Sequence, residues 1–167
     1  MSAAIDLLDA RRIKVTSSID RKHRSALGQF FTPGAVAQFM ASLMDFPEGE
    51  DVNLLDPGAG IGSLTAAVAQ RIPARQVFAT CYELEGSFLV ELADTLAALP
   101  NVKGIVHGRD FIEHTVRLIA AGKSPGFSHA ILNPPYKKIS TGSSHRHWMR
   151  KLGVETSNLY TCFLACT

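Results

Sequence analysis

Between His114 and Val154 the chain has no aspartate or glutamate at all, while Arg117, Lys123, Lys137, Lys138, Arg146, Arg150 and Lys151 place seven positive charges there. The formal net charge of +2 hides this asymmetry. A second basic cluster, Arg11, Arg12, Lys14, Arg21, Lys22 and Arg24, faces only Asp20 near the N-terminus. A charge cluster is ordinarily a solvated face, but two of one sign point to a phosphate-bearing partner. Cysteine is equally scarce. Cys81, Cys162 and Cys166 form an odd set without a Cys-x-x-Cys pair, so neither a disulfide frame nor a zinc site is indicated. Cys81 reads as a small buried thiol in an apolar strand. His145-x-His147 has no partner ligands nearby, so no metal is expected. No apolar run approaches the ~20 residues of a membrane span. Residues 1–10 carry Asp6 and Asp9 in place of the basic-then-apolar plan of a signal peptide, so the expected location is cytoplasmic, without a membrane partner.

What is present is a core-forming composition: 167 residues, 46% apolar and 19% charged, enough for one domain or part of one. Ala3 to Lys14 has helical spacing and leads into a basic linker. Thr32-Pro33 reads as an N-cap with proline at the first helical position, opening a helix that buries Val36, Phe39, Met40 and Leu43. Pro47 to Asp51 is a surface turn. Strands are expected at 52–56, 76–83, 104–107 and 127–132, and helices from Ser63 or Thr65 to Arg71, from Ser87 to Leu99 and over 112–121. Strands alternating with helices predict an α/β fold, a doubly wound and mostly parallel sheet. Ligands bind such sheets outside the carboxyl ends of the strands, where Asp56, Glu83, Asp110 and Asn133 all stand. A loop-capping role accounts for one or two of these residues; four together argue for a site.

The turn Pro57-Gly-Ala-Gly-Ile-Gly62 departs from a dinucleotide fingerprint, since Ser63 occupies the third glycine position. Its context is more informative. Glu83, at the end of the next strand, can accept both hydroxyls of a ribose. Asp110 can accept from the exocyclic amine of an adenine, with Phe111 covering the ring. An adenosine is implied. Glycines also let the backbone approach a ribose and its attached chain closely, so S-adenosylmethionine meets these demands as cofactor.

Asn133-Pro134-Pro135-Tyr136 closes the last strand. The amide is an acceptor, the prolines stiffen the backbone and remove two donors, and the ring can stack on a flat ligand. The corner holds a planar amine, or else is a tight proline turn with Tyr136 merely packed.

Together Gly28-Gln-Phe-Phe-Thr-Pro33, Asp56-Pro-Gly-Ala-Gly-Ile-Gly62, Tyr82-Glu83, Asp110-Phe111 and Asn133-Pro-Pro-Tyr136 resemble, in type and order, an N6-adenine-specific DNA methyltransferase of the gamma class found in restriction-modification systems. The resemblance implies a Rossmann-like methyltransferase fold over residues 28–167, behind an N-terminal helix and basic linker over 1–27. It further implies methyl transfer from S-adenosylmethionine to the N6 amine of a flipped adenine in duplex DNA. By that likeness Phe31, Thr32 and Pro33 close over the methionine tail, and the backbone around Asp56, Gly58, Ala59 and Gly60 lines the cofactor. Glu83 takes the ribose; Asp110 and Phe111 take the cofactor's adenine. Asn133, Pro134, Pro135 and Tyr136 carry the catalysis, and Lys137, Lys138, Arg146, Arg150 and Lys151 meet phosphates. Related activities on an RNA base or a protein glutamine, or an inactive cofactor-binding remnant, are the alternatives. Only four strands are visible and the apolar pattern from Asn158 to Thr167 reads as cut short. The target-recognition region that family members carry is therefore expected to lie elsewhere, in a missing C-terminal region or a partner subunit.

Overall fold

The computed structural model describes residues 31–167 together with Ala10 and Ile13, both helical. The expected N-terminal helix, the segment 1–27 and its basic cluster lie otherwise outside the described residues. In chain order the elements are α1 (Gly34–Ser42), β1 (Val52–Pro57), α2 (Ser63–Arg71), β2 (Val77–Tyr82), α3 (Gly86–Ala97), β3 (Val102–His107), α4 (Phe111–Ala120), β4 (His129–Ala130), α5 (Ser144–Lys151) and α6 (Leu159–Ala165). The strands form one sheet in the order β3-β2-β1-β4, parallel throughout. The chain runs outward from β1 to β3 and then crosses to the far side of β1. That reversal makes a switch point, with a crevice between the carboxyl ends of β1 and β4.

Strand periodicity divides the core in two. Val52, Leu54, Val77, Ala79 and Cys81 pack with Ala37 and Ala41 of α1, Leu64, Ala67 and Val68 of α2, and Leu92 and Leu96 of α3. On the other face, Leu55 and Tyr82 pack with Phe111, Ile112 and Val116 of α4, Met149 of α5 and Cys162, Phe163 and Cys166 of α6. Helices therefore cover both faces, as a doubly wound sheet requires. All three cysteines are free and buried. Gly104 of β3 has a packing reason: a Cβ there would come within 2.6 Å of Leu96 Cδ1 and 3.1 Å of Leu96 Cβ.

Four expectations need correction. The residue before α1 is Pro33, and no side chain caps the helix; Thr32 turns its hydroxyl elsewhere. The face that α1 buries is its small-residue stripe, Gly34, Ala37 and Ala41, while Val36, Phe39 and Leu43 are exposed and only Met40 of the expected set packs against the core. Small side chains let α1 lie close on α2, whose buried face is itself rich in alanine. Finally, β4 pairs over two residues, not six, although Ser128 and Ile131 add backbone bonds to Asn53 and Leu55 on either side. The third strand is longer than expected, beginning at Val102.

Candidate functional site

The glycine turn after β1 is built by positive backbone angles: φ is 74° at Gly58, 57° at Gly60 and 86° at Gly62, a region L-residues seldom adopt. Gly62 caps α2 in the left-handed conformation, and a Cβ on it would meet Leu92 Cδ1 at 3.0 Å. The turn is pinned to β2 by Glu83. One carboxylate oxygen accepts from Gly60 N–H at 2.8 Å and the other from Glu85 N–H at 2.8 Å. Burial pushes the Glu83 carboxyl up, while the backbone donors of Glu85, Gly60 and Leu84 oppose that shift. The two oxygens together offer about four acceptor positions, so these backbone donors do not exhaust the carboxylate.

A cavity of about 540 Å³ opens above this turn. It is bordered by Phe31, Thr32, Gly58, Ala59 and Gly60 on one side, by Glu83, Asp110 and Phe111 at the ends of β2 and β3, and by Asn133 and Pro135 beyond β4. That volume lies within the range that holds a drug-sized ligand. Phe31 packs edge-on against Phe88, with ring centroids 4.9 Å apart. Asp110 caps α4 by accepting from Glu113 N–H at 2.8 Å, and its other oxygen lies 2.7 Å from His145 Nε2. Burial alone would raise the Asp110 carboxyl, but the hydrogen bonds from His145 and Glu113 outweigh it and hold the group below the usual carboxylate range.

Of the expected cofactor residues, Pro33 and Asp56 do not border this cavity, and Asp56 is the one the structure carries into the core. Its side chain is fully buried and does not border the cavity. Oδ2 accepts from the Thr65 hydroxyl at 2.7 Å, and Oδ1 has no hydrogen-bond partner. Burial, partly offset by Thr65 and reinforced by Glu83, raises its carboxyl to about 7. Asp56 supports the turn from beneath.

A second cavity of about 400 Å³ is bordered by Thr32, Val36, Met40, Leu132, Asn133, Pro134, Tyr136, Tyr160 and Leu164. The corner after β4 alternates between the two spaces: Pro134 and Tyr136 border the smaller, Pro135 the larger, and Asn133 both. Thr32 also borders both, and Asn133 Nδ2 donates to its hydroxyl oxygen at 3.1 Å. The cavities meet at this pair. Tyr136 is 61% exposed and stacks on Tyr160, with centroids 5.7 Å apart and planes at 21°.

The basic stretch divides. Lys137 and Lys138 border the larger cavity. Arg146 and Arg150 are both engaged by Glu155, one residue past the acid-free run, and Lys151 lies over the Trp148 ring at 4.1 Å. Two guanidiniums counted as available are thus already paired. Among the described residues no group of three or more His, Cys, Asp or Glu could hold a metal, and no helix is long and apolar enough to cross a membrane.

Helix α6, expected only as an apolar pattern, also belongs to the site. Leu159 and Phe163 border the larger cavity, and Tyr160 and Leu164 the smaller. The signal was available as two i, i+4 pairs of large apolar residues on adjacent stripes of one short helix. His145 was likewise read only as half of a metal motif.

A family model described as N-6 DNA Methylase matches residues 16–165. The chain is 39% identical over its whole length to the type II methyltransferase M.BsuBI of Bacillus subtilis, and 37% identical over 95% of its length to the type II methyltransferase M.PstI of Providencia stuartii. It spans 35% and 34% of those proteins, about a third of their length. Among solved structures, the methyltransferase subunit of a type I restriction-modification system from Streptococcus thermophilus superposes with a TM-score of 0.62 at 25% identity, over 83% of this chain and 31% of that one. With nearly its entire length under that family model and both curated relatives aligned along it, the chain belongs to the N-6 DNA methylase family.

Proposed function

We propose that this chain is the cofactor-binding and base-holding portion of an S-adenosylmethionine-dependent N6-adenine DNA methyltransferase of a restriction-modification system. The observation that carries this reading is the meeting of two cavities at Asn133: one beneath acidic strand ends, the other lined by Pro134 and an exposed tyrosine ring.

The larger cavity fits the cofactor by its donor set. The Glu83 carboxylate suits ribose hydroxyls, Asp110 an adenine amine with Phe111 beside it, and the backbone of Gly58, Ala59 and Gly60 allows close approach. Phe31 and Thr32 lie toward the methionine end, while Pro33, which borders neither cavity, leads into α1. The cofactor, when bound, supplies a methyl group on a positively charged sulfur.

The target nitrogen is a poor nucleophile because its lone pair is delocalised into the purine ring. Asn133, accepting one of its N–H bonds on the amide oxygen, and the Pro134 carbonyl, accepting the other, favour a more tetrahedral nitrogen with its lone pair turned toward the larger cavity. Holding two reactants in line can contribute on the order of 7–11 kcal/mol at best. No covalent enzyme intermediate is needed, and the buried cysteines take no part. Flipping the base out of the duplex costs a few kcal/mol. Stacking on Tyr136, worth roughly 1–3 kcal/mol, offsets part of this. Pro135 keeps the corner rigid. Lys137 and Lys138 neutralise phosphates at the cavity mouth and Lys151 extends that contact, while Arg146 and Arg150 join it only when released from Glu155. Choice of DNA sequence falls to a recognition region or partner subunit, and the working compartment is the cytoplasm.

The test is calorimetric titration of S-adenosylmethionine, followed by tritiated methyl transfer to duplex DNA containing adenine. Asn133→Ala should abolish transfer while leaving cofactor affinity within about tenfold, since it removes at most one ordinary hydrogen bond from that side. A folded chain that binds no cofactor would refute the reading. Loss of cofactor binding in the alanine variant would refute the assignment of Asn133 to the target base.

A further inference from the structure

We infer that Thr32 is a positioning residue that couples cofactor occupancy to the orientation of the Asn133 amide. This rests on the functional reading above and deepens it. Thr32 is buried, with 8% of its surface exposed, and lies at the start of the segment leading into α1, far from Asn133 in sequence. Its hydroxyl does not cap that helix; it receives the Asn133 Nδ2 hydrogen bond at 3.1 Å. The amide nitrogen is thereby tied to Thr32, and the amide oxygen, which can accept two hydrogen bonds, occupies the opposite arm of the plane.

A hydroxyl has one donor and two acceptor positions. With Asn133 donating to it, the Thr32 proton remains to be given to an acceptor. Thr32 borders the larger cavity, where a ligand carboxylate is such an acceptor. The donors then run in one direction: target amine to Asn133 oxygen, Asn133 nitrogen to Thr32 oxygen, Thr32 proton to carboxylate. Hydrogen bonds in a consistently directed chain polarise one another. An anion at the Thr32 end strengthens the acceptor at the base end, so filling the larger cavity improves base holding in the smaller one. Coupling of this kind is reciprocal.

The experiment measures binding, not turnover. A fluorescein-labelled duplex containing adenine, whose N6 amine is the first donor of this hydrogen-bond series, is titrated by anisotropy with the full chain, with and without saturating S-adenosylhomocysteine, which retains the carboxylate and carries no methyl to transfer. In the wild type the cofactor product should tighten DNA binding roughly three- to tenfold, the range of one ordinary hydrogen bond. Thr32→Val keeps the side-chain shape and removes the hydroxyl; S-adenosylhomocysteine should bind more weakly without DNA, having lost that hydrogen bond, and its coupling to DNA should fall below about twofold measured from either ligand. Thr32→Ser keeps the hydroxyl and should restore the coupling, which a purely structural role for the threonine methyl would not allow. Equal coupling in the wild type and the valine variant, or none in the wild type, overturns the proposal while leaving the functional reading in place. Failure of the folded wild type to bind S-adenosylhomocysteine overturns both.

Discussion

Asp56→Asn should change how stability depends on pH. In the fold the Asp56 carboxyl titrates near 7, against an ordinary value of 3.8, chiefly because burial penalises its charged form. Between those values the folded state holds a proton that the unfolded state has released. Stability therefore falls as pH rises through this window, by about 1.4 kcal/mol per pH unit. From pH 5 to pH 7 that amounts to roughly 3 kcal/mol, a large share of the ~5–15 kcal/mol that stabilises a typical domain. Asparagine keeps an oxygen for the Thr65 hydroxyl and has no proton to lose. His107 and His114, whose basicity burial lowers, tilt the profile the opposite way in both proteins, so the difference between variant and wild type isolates Asp56. Urea unfolding followed by the fluorescence of Trp148, the chain's single tryptophan, at pH 5, 6, 7 and 8 gives that difference. The variant should gain on the wild type steadily up to pH 7 and level off above it. A gap that stays constant from pH 5 to 8 would refute the reasoning, because Asp56 would then ionise in the fold as readily as in water.

Glu155→Gln should release Arg146 and Arg150 from the carboxylate that they hold ionised down to about 2. DNA affinity, followed by anisotropy of a labelled duplex, should then depend more steeply on salt, the logarithmic slope growing by up to ~1.8 for two added phosphate contacts. An unchanged slope would mean that these arginines do not face the duplex. Gly104→Ala should lower the urea midpoint through the clash with Leu96, at a cost of roughly 1–3 kcal/mol typical of overpacking. A midpoint equal to that of the wild type would show that Leu96 yields freely.

The order of strands and helices was legible because each strand ends at a polar residue and each helix has its own apolar spacing. That much placed Glu83, Asp110 and Asn133 around one crevice. The buried face of α1 was not legible, since large apolar residues are the usual sign of a core face and here they point outward. Close approach of two helices rewards small residues instead, and Ala37 and Ala41 are weak signals in a sequence. Asp56 was misplaced for a different reason. Its position at a strand end suggested the cavity, but the two-residue pleat puts it on the same side as Val52 and Leu54, inside the core. Glu155 was overlooked because it stands just outside the acid-free run, and sequence separation does not show which side chains fold back.

Helix α6 gives the two cavities a common mechanical part. Leu159 and Phe163 face one space, Tyr160 and Leu164 the other, and all four are fixed to the same short rigid rod. A roll or shift of that rod cannot reshape one space without reshaping its neighbour. If the larger space holds the methyl donor and the smaller one the base, as proposed, changes that widen room for a different base would also alter the fit of the donor, and the two specificities are geared together.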